Sequence, residues 1–239
     1  MKFDTAQCSM QGARPYNEDS IFCAPVEQGL LALVADGLGG HGGGDVASQT
    51  AVKTFSAGFL KQPESGGAYL MQLAELANQA VLKQQTPGVR MKTTLAAFAA
   101  LGGKYAVLHA GDSRCYVFRD GRLVHRTKDH SVPQMDVEAG RISEEKIRFH
   151  EDRNKVLKVL GAAEPLRPEV TAEGELRPGD GILLCSDGFW ENVWENEMLA
   201  DYLKARSAKD WLSYLLARLG RRLNDHSDNF SAVAILVKE

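Results

Sequence analysis

The most restrictive feature of this chain is a run of apolar residues, Leu30 to Ala35 (LLALVA), that stops abruptly at Asp36-Gly37. A run this short, with no polar residue at alternate positions and a turn signal at its end, predicts a buried strand. Similar runs recur along the chain: TTLAAFAAL (93–101), KYAVLHA (104–110), SRCYVFR (113–119), GILLCSD (181–187) and FSAVAILV (230–237). Asp120-Gly121 supplies a hairpin turn into RLVHRT. Helical periodicity falls between the strand groups. It covers residues 45–60, then 68–84, and then a segment opened by Ser207 and Asp210 as a capping-box-like start that runs to about Leu223. Residues 129–160 are polar and irregular, which predicts short helical pieces in a mobile surface segment. Strands and helices come in groups, without β-α-β alternation. The expected class is therefore α+β, with sheets packed on one another and helices outside. No linker rich in Pro, Gly and Ser divides the chain, so one domain over 1–239 is expected.

Charge and composition remove several function classes. The net charge of −3 lacks the basic excess that a nucleic-acid partner requires. The N-terminus MKFDTAQC carries Asp4 and no apolar run, so it does not read as a signal peptide, and no stretch is apolar enough for a membrane span. Cys8, Cys23, Cys115 and Cys185 are scattered, with no C-x-x-C pair, which reads as reduced thiols in a cytoplasmic protein.

Two motifs suggest chemistry that their surroundings do not support. Cys8 and Arg14 are spaced as C-x₅-R, the pattern of a thiolate phosphatase. A nucleophilic thiolate needs a lowered pKa, and Glu18 and Asp19 beside the loop would raise it instead. Gly37-Leu38-Gly39-Gly40-His41-Gly42 spells a dinucleotide fingerprint between a strand and a helix. Asp36 directly before it would repel a pyrophosphate, and no strand ending in an acid follows about 20 residues on.

The carboxylates form a more consistent set. Asp36 and Asp187 end apolar runs, Asp112 follows a third, Asp228 precedes the last, and Glu18-Asp19 precede SIFCAP. Taken singly, each Asp-Gly is more simply a turn. Brought to one edge, the set would repel itself unless cations neutralised it. Oxygen ligands without a His or Cys cluster suit Mg²⁺ or Mn²⁺ rather than zinc.

At this point the chain resembles the metal-dependent protein phosphatases, the type 2C serine/threonine family, in a compact bacterial form. ARPYNEDS, VADGLGGHGGGDVAS, KTTLAAF, HAGDSRCYVFRDGRL, KDHS, EAGRI, HEDRN, LLCSDGFWEN and DNFSAVAI fall in family order between residues 14 and 236. The resemblance implies a β-sandwich of two antiparallel sheets flanked by α-helices on both outer faces. It implies two Mn²⁺ or Mg²⁺ ions bridged by Asp36, with the Gly37 carbonyl and Glu18 on one ion and Asp187 and Asp228 on the other. A third, weaker ion would be held by Asp112, with Asp187 and Glu191 nearby. Asp19 would hold cation-bound water, Asn229 would support Asp228, and Arg14 would bind the substrate phosphate through its planar fork. The implied reaction is hydrolysis of phosphoserine and phosphothreonine in proteins, by direct attack of a hydroxide bridging the ions. Arg14, Asp36, Asp187 and Asp228 would be the catalytic group.

The chain departs from the family pattern in places. Leu38 stands where longer members carry a histidine after Asp-Gly, which leaves His41 an unconvincing general acid. Glu191 replaces a usual aspartate, and Lys92 a usual glycine before Thr93-Thr94. The segment 131–160 would be a flap beside the site. Its Arg141, Lys146, Arg148, Arg153, Lys155 and Lys158 would be available to steer a phosphoprotein. The expected setting is a monomeric cytoplasmic enzyme that opposes a serine/threonine kinase. The competing expectation is an inactive phosphatase fold that binds phosphoproteins as a regulator, which would be marked by loss of the metal carboxylates.

Overall fold

The computed structural model of the chain describes residues 1–39, 42–163 and 165–239. The strands and helices are, in order, β1 (Lys2–Met10), β2 (Ser20–Val26), β3 (Gly29–Ala35), β4 (Gly37–Leu38), α1 (Gly44–Lys61), α2 (Gly67–Gln84), β5 (Lys92–Thr93), β6 (Leu95–Leu101), β7 (Lys104–Ala110), β8 (Arg114–Arg119) and β9 (Arg122–Arg126). They continue with α3 (Val132–Glu138), a 3₁₀ turn (Glu144–Phe149), β10 (Glu169–Glu175), β11 (Gly181–Cys185), α4 (Asp187–Trp190), α5 (Glu195–Lys204), α6 (Ala208–Gly220) and β12 (Phe230–Lys238). Two antiparallel five-stranded sheets, ordered β1-β12-β11-β8-β9 and β10-β7-β6-β3-β2, form the sandwich.

The layering explains why LLALVA does not alternate. Leu30, Ala32 and Val34 point between the sheets, where they join Phe98, Val107, Val117, Ile182 and Ile235. Leu31, Leu33 and Ala35 point the other way, onto Phe55, Phe59 and Leu70 of the helices α1 and α2. Across the sandwich, Tyr116, Leu183 and Ala234 face Met198, Trp211 and Leu215 of α5 and α6. A strand with apolar layers on both faces has no wet side, so the period-2 signal vanishes. At the Asp120-Gly121 turn both residues have positive φ, 50° and 71°, as a two-residue hairpin of this hand requires. Ser207 caps α6 by accepting from the Asp210 N–H at 3.0 Å, and the helix ends at Gly220, a few residues short of the expected Leu223.

Residues 129–160 hold the expected short helical pieces, α3 and the 3₁₀ turn, on the surface, but are tied to the rest of the chain more firmly than their polarity suggests. Ser131 bridges to Val156, Val132 N–H donates to Lys155 O, and Leu157 N–H donates to His130 O at 2.7 Å. Ile147 and Arg148 are buried. The polar composition therefore conceals a packed segment. Of the six basic residues expected to steer a substrate, Arg141, Arg148, Arg153, Lys155 and Lys158 are paired with acids, and Lys146 is exposed with no ion pair among the described residues.

Antiparallel register delivers the carboxylates to one end. Ser20 at the start of β2 lies opposite Ala35 at the end of β3, which sets Glu18 and Asp19 beside Asp36. Cys185 at the end of β11 lies opposite Ala232 of β12 and Arg114 of β8, which brings Asp187, Asp228 and Asp112 to the same edge.

Candidate active site

Backbone anchors hold each acid at the strand ends. Asp36 N–H donates to Thr94 Oγ1, and Asp36 O accepts from Thr94 N–H and Thr93 Oγ1, each at 2.9 Å. Ser186 precedes Asp187. Its Oγ accepts from Ser231 N–H at 2.9 Å and donates to Asp19 Oδ2 at 2.7 Å. Asn229 uses its whole amide: Oδ1 accepts from Glu18 N–H at 2.9 Å, and Nδ2 donates to Gln11 O at 2.7 Å and Tyr16 O at 2.8 Å. It thereby fastens the loop carrying Arg14 and Glu18 next to Asp228. Arg14 Nη2 lies 2.6 Å from Asp228 Oδ2, with the guanidinium half exposed.

The glycine-rich stretch also serves the carboxylates. A Cβ on Gly37 would lie 2.1 Å from Gly44 O, and one on Gly44 would lie 2.6 Å from Glu18 Oε1. Burial raises the Glu18 carboxyl and the Gly44 backbone beside it acts against that rise, so the glycines make room for an acid against the chain rather than for a dinucleotide. His41 lies outside the described residues. Lys92 sits on β5 opposite Leu38, half-buried.

The electrostatics are those of acids crowded together. Burial first, and neighbouring carboxylates second, push Asp36 and Asp112 well above the usual carboxylate range. Burial raises Asp187 to about 6, with the charge of Asp228 adding to the rise. Burial likewise raises Asp19 to about 7, against the hydrogen bond from Ser186. Glu191 rises to about 7 through burial, despite Arg153 Nε at 3.2 Å from its carboxylate. Glu191 thus pairs with Arg153 while still feeling the charges of Asp187 and Asp228. Cys8 sits in β1 opposite Ala232, where burial pushes its thiol up to about 11, the wrong direction for a nucleophile.

Among the described residues, no three His, Cys, Asp or Glu side chains are gathered closely enough to hold an ion as they stand. Charge weighs more than spacing here, because side chains turn easily while buried uncompensated carboxylates cost several kcal/mol each. Asp19 Oδ1 and Asp187 Oδ1 are buried with no hydrogen-bond partner. An all-oxygen set with orphaned, mutually repelling carboxylates fits a hard divalent cation. A groove of about 790 Å³ lies elsewhere, lined by Arg126, Arg148, Phe149 and Trp194. It holds none of these acids, so chemistry rather than concavity marks the site.

The model of the family described as Protein phosphatase 2C matches residues 10–222. The chain belongs to the protein phosphatase 2C family. The serine/threonine protein phosphatase PstP of Mycobacterium tuberculosis is 38% identical over 192 residues, covering 78% of this chain and 36% of the relative. The chain thus spans about a third of that relative's length. The serine/threonine phosphatase Stp of Listeria welshimeri is 32% identical over 203 residues, covering 81% of this chain and 79% of the relative. The crystal structure of the PstP catalytic domain in complex with two manganese ions superposes with a TM-score of 0.84 at 32% identity, over 99% of both chains. The sandwich and its outer helices are therefore those of protein phosphatase 2C structures. Sequence reasoning did not anticipate what packs behind Asp112: Trp190, whose Nε1 donates to Asp112 O, and Arg114 over its ring, held by Asp129. A buried Arg in SRCYVF and an Asp in KDHS carried no sign that they would meet.

Proposed function

We propose that this chain is a Mn²⁺- or Mg²⁺-dependent protein phosphatase that hydrolyses phosphoserine and phosphothreonine. The observation that carries the reading is the convergence of Glu18, Asp19, Asp36, Asp112, Asp187 and Asp228 at one sandwich end, with Arg14 against Asp228 at the open side. Glu18, Asp36, the Gly37 carbonyl, Asp187 and Asp228 would hold two cations, with Asp112 and Glu191 beside a weaker third. Bound divalent ions supply a water acidified toward neutral pH and neutralise charge on a phosphoryl group.

The chain's own residues do the rest. Arg14 is exposed enough to exchange Asp228 for a phosphate, and its fork matches two phosphoryl oxygens. Asp19, kept in place by Ser186, has a second, buried oxygen without a partner, which would be free to accept a hydrogen bond from a cation-bound water. Asn229 keeps Arg14 and Glu18 in register with Asp228. Thr93 and Thr94 fix the Asp36 backbone on both sides.

Phosphoproteins made by a serine/threonine kinase are the proposed substrates. A cytoplasmic setting and action as a monomer are part of the proposal; the four cysteines as free thiols are consistent with a reducing compartment, and no described helix is long and apolar enough to cross a membrane. Survival of Glu18, Asp36, Asp187 and Asp228 disfavours an inactive phosphoprotein-binding role. The test is release of phosphate from phosphoserine, phosphothreonine and phosphotyrosine peptides with Mn²⁺ and with EDTA. Turnover of the first two that needs Mn²⁺ is expected. Full turnover in EDTA, or a preference for phosphotyrosine, would overturn the reading.

A further inference from the structure

Arg148 belongs to the 131–160 segment, yet its guanidinium is spent inside the neighbouring turn. Nη1 donates to Trp190 O at 2.6 Å and reaches Glu191 O at 3.3 Å and Val193 O at 3.5 Å, while Nη2 donates to Glu195 Oε2 at 2.7 Å. These carbonyls close the turn that begins at Asp187 and have no further helix to bond to. Trp190 carries the contact onward: its Nε1 donates to Asp112 O at 2.9 Å. Arg114 lies flat on the same indole, its Cζ 3.4 Å from the ring centroid, and is held by Asp129 at 2.7 Å through both Nε and Nη2. Arg114 Nη1 also reaches Glu195 Oε1 at 3.2 Å, so both arginines share one glutamate.

Two site carboxylates therefore depend on this arrangement through their backbones. Asp112 has its carbonyl held by Trp190, and Glu191 has its carbonyl held by Arg148. We propose that Arg148, acting through Trp190, is a positioning residue that sets Asp112 and Glu191 in register with each other and with the 131–160 segment. A lysine keeps the charge but cannot fork across several carbonyls. Phenylalanine at 190 keeps a ring beneath Arg114 but cannot donate to Asp112 O.

Hydrogen exchange on the full chain with Mn²⁺ tests this for Arg148→Lys, Trp190→Phe and the double variant. In Arg148→Lys, amides of 110–114 and 187–193 should exchange about tenfold faster, while those of β1 and β12 stay unchanged. Trp190→Phe should loosen 110–114 and leave 144–150 protected. The double variant should loosen 110–114 no more than the worse single variant, because both act along one path. Loosening confined to 144–150 in Arg148→Lys, wild-type exchange at 110–114 in Trp190→Phe, or additive effects in the double variant would each overturn the proposal.

A kinetic arm rests on the phosphatase reading. With p-nitrophenyl phosphate, and with rates normalised to the folded fraction read from urea unfolding, Arg148→Lys should lower kcat about five- to tenfold with KM unchanged; a kcat that returns to wild type after that normalisation would mark mere destabilisation. A raised KM at constant kcat would count against it. If the wild-type chain hydrolyses no phosphoester, the phosphatase reading fails, and the exchange arm still decides the positioning role.

Discussion

On one side of Trp190, Arg114 and Asp129 are buried together in a bidentate pair, with Glu195 and Arg148 beside them. On the other, Asp19, Asp36, Asp112 and Asp187 are buried largely with one another. Both clusters take charge out of water. The first carries its counter-charge within the chain. The second does not, apart from Arg14 at the rim. A paired cluster fixes structure whatever the solvent contains. An unpaired one gives up stability and keeps a site that only an added cation completes. The comparison separates the buried acids that hold the fold from those left uncompensated for the proposed cations.

The largest effect should come from neutralising the unpaired cluster. Asp36→Asn should lower kcat/KM by about 10³-fold or more, ~4 kcal/mol of transition-state stabilisation. The same variant in EDTA at pH 8 should be more stable than wild type by ~1–2 kcal/mol, because it removes one repelling charge. Urea unfolding measures the second quantity. A variant that loses both activity and metal-free stability would mean that Asp36 holds the fold, and the contrast between the clusters would collapse.

The paired cluster should behave in the opposite sense. Asp129→Asn leaves the buried Arg114 without its bidentate carboxylate and should cost ~3–5 kcal/mol, in EDTA as much as in Mn²⁺. Replacing both partners by apolar residues, Arg114→Met with Asp129→Leu, should recover a large part of that loss. Thermal unfolding at matched metal concentration checks both.

pH sharpens the comparison further. Asp187 and Asp19 have folded pKa values raised to about 6 and about 7, above their ordinary 3.8. Their contribution to stability is full below pH 4 and is lost as pH rises through 6 and 7. In EDTA the midpoint of urea unfolding should therefore fall between pH 5 and pH 8, by ~1–3 kcal/mol of stability. Saturating Mn²⁺ should flatten or invert that slope, because a bound cation favours the ionised form. An EDTA profile that rises over this range would show that the acids are not crowded in solution.

The two clusters were unequally legible in the sequence. Asp36 and Asp187 close continuous apolar runs, so their burial at rigid strand ends could be read directly. Asp228 and Asp112 follow once antiparallel pairing is assumed. The Arg114–Asp129 pair left no such mark. Arg114 opens an apolar strand as a surface arginine would, and its partner lies 15 residues on, in a polar stretch. The same polarity concealed the packing of Ile147 and Arg148. Edge strands β1 and β10 were missed because each has an exposed side, so neither needs an apolar run: KFDTAQCSM and EVTAEGE are half polar. Glu191 could be read as an acid near the proposed third cation, but its pairing with Arg153 could not, because nothing in the sequence shows the 131–160 segment reaching it.

The smallest effects concern the segment where two chemistries competed, Cys8 to Asp19. Arg14 is half exposed and pairs with Asp228 across the mouth of the site, so Arg14→Ala should leave the fold intact and raise KM about tenfold, with a smaller change in kcat. Cys8 lies six residues earlier on β1, side by side with Ala232 in the sheet. Its thiol is pushed up to about 11 by burial and has no basic group to hold it ionised. Cys8→Ser should therefore keep kcat and KM within about twofold, and cost at most ~1 kcal/mol for placing a hydroxyl in a partly apolar setting. Steady-state hydrolysis of p-nitrophenyl phosphate by the two variants, side by side, separates the readings. Loss of kcat in Cys8→Ser with Arg14→Ala nearly intact would return the chemistry to sulfur. The expected reverse order places it with the carboxylates, because a side chain that faces a strand partner and cannot ionise near neutral pH has no means of attacking phosphorus.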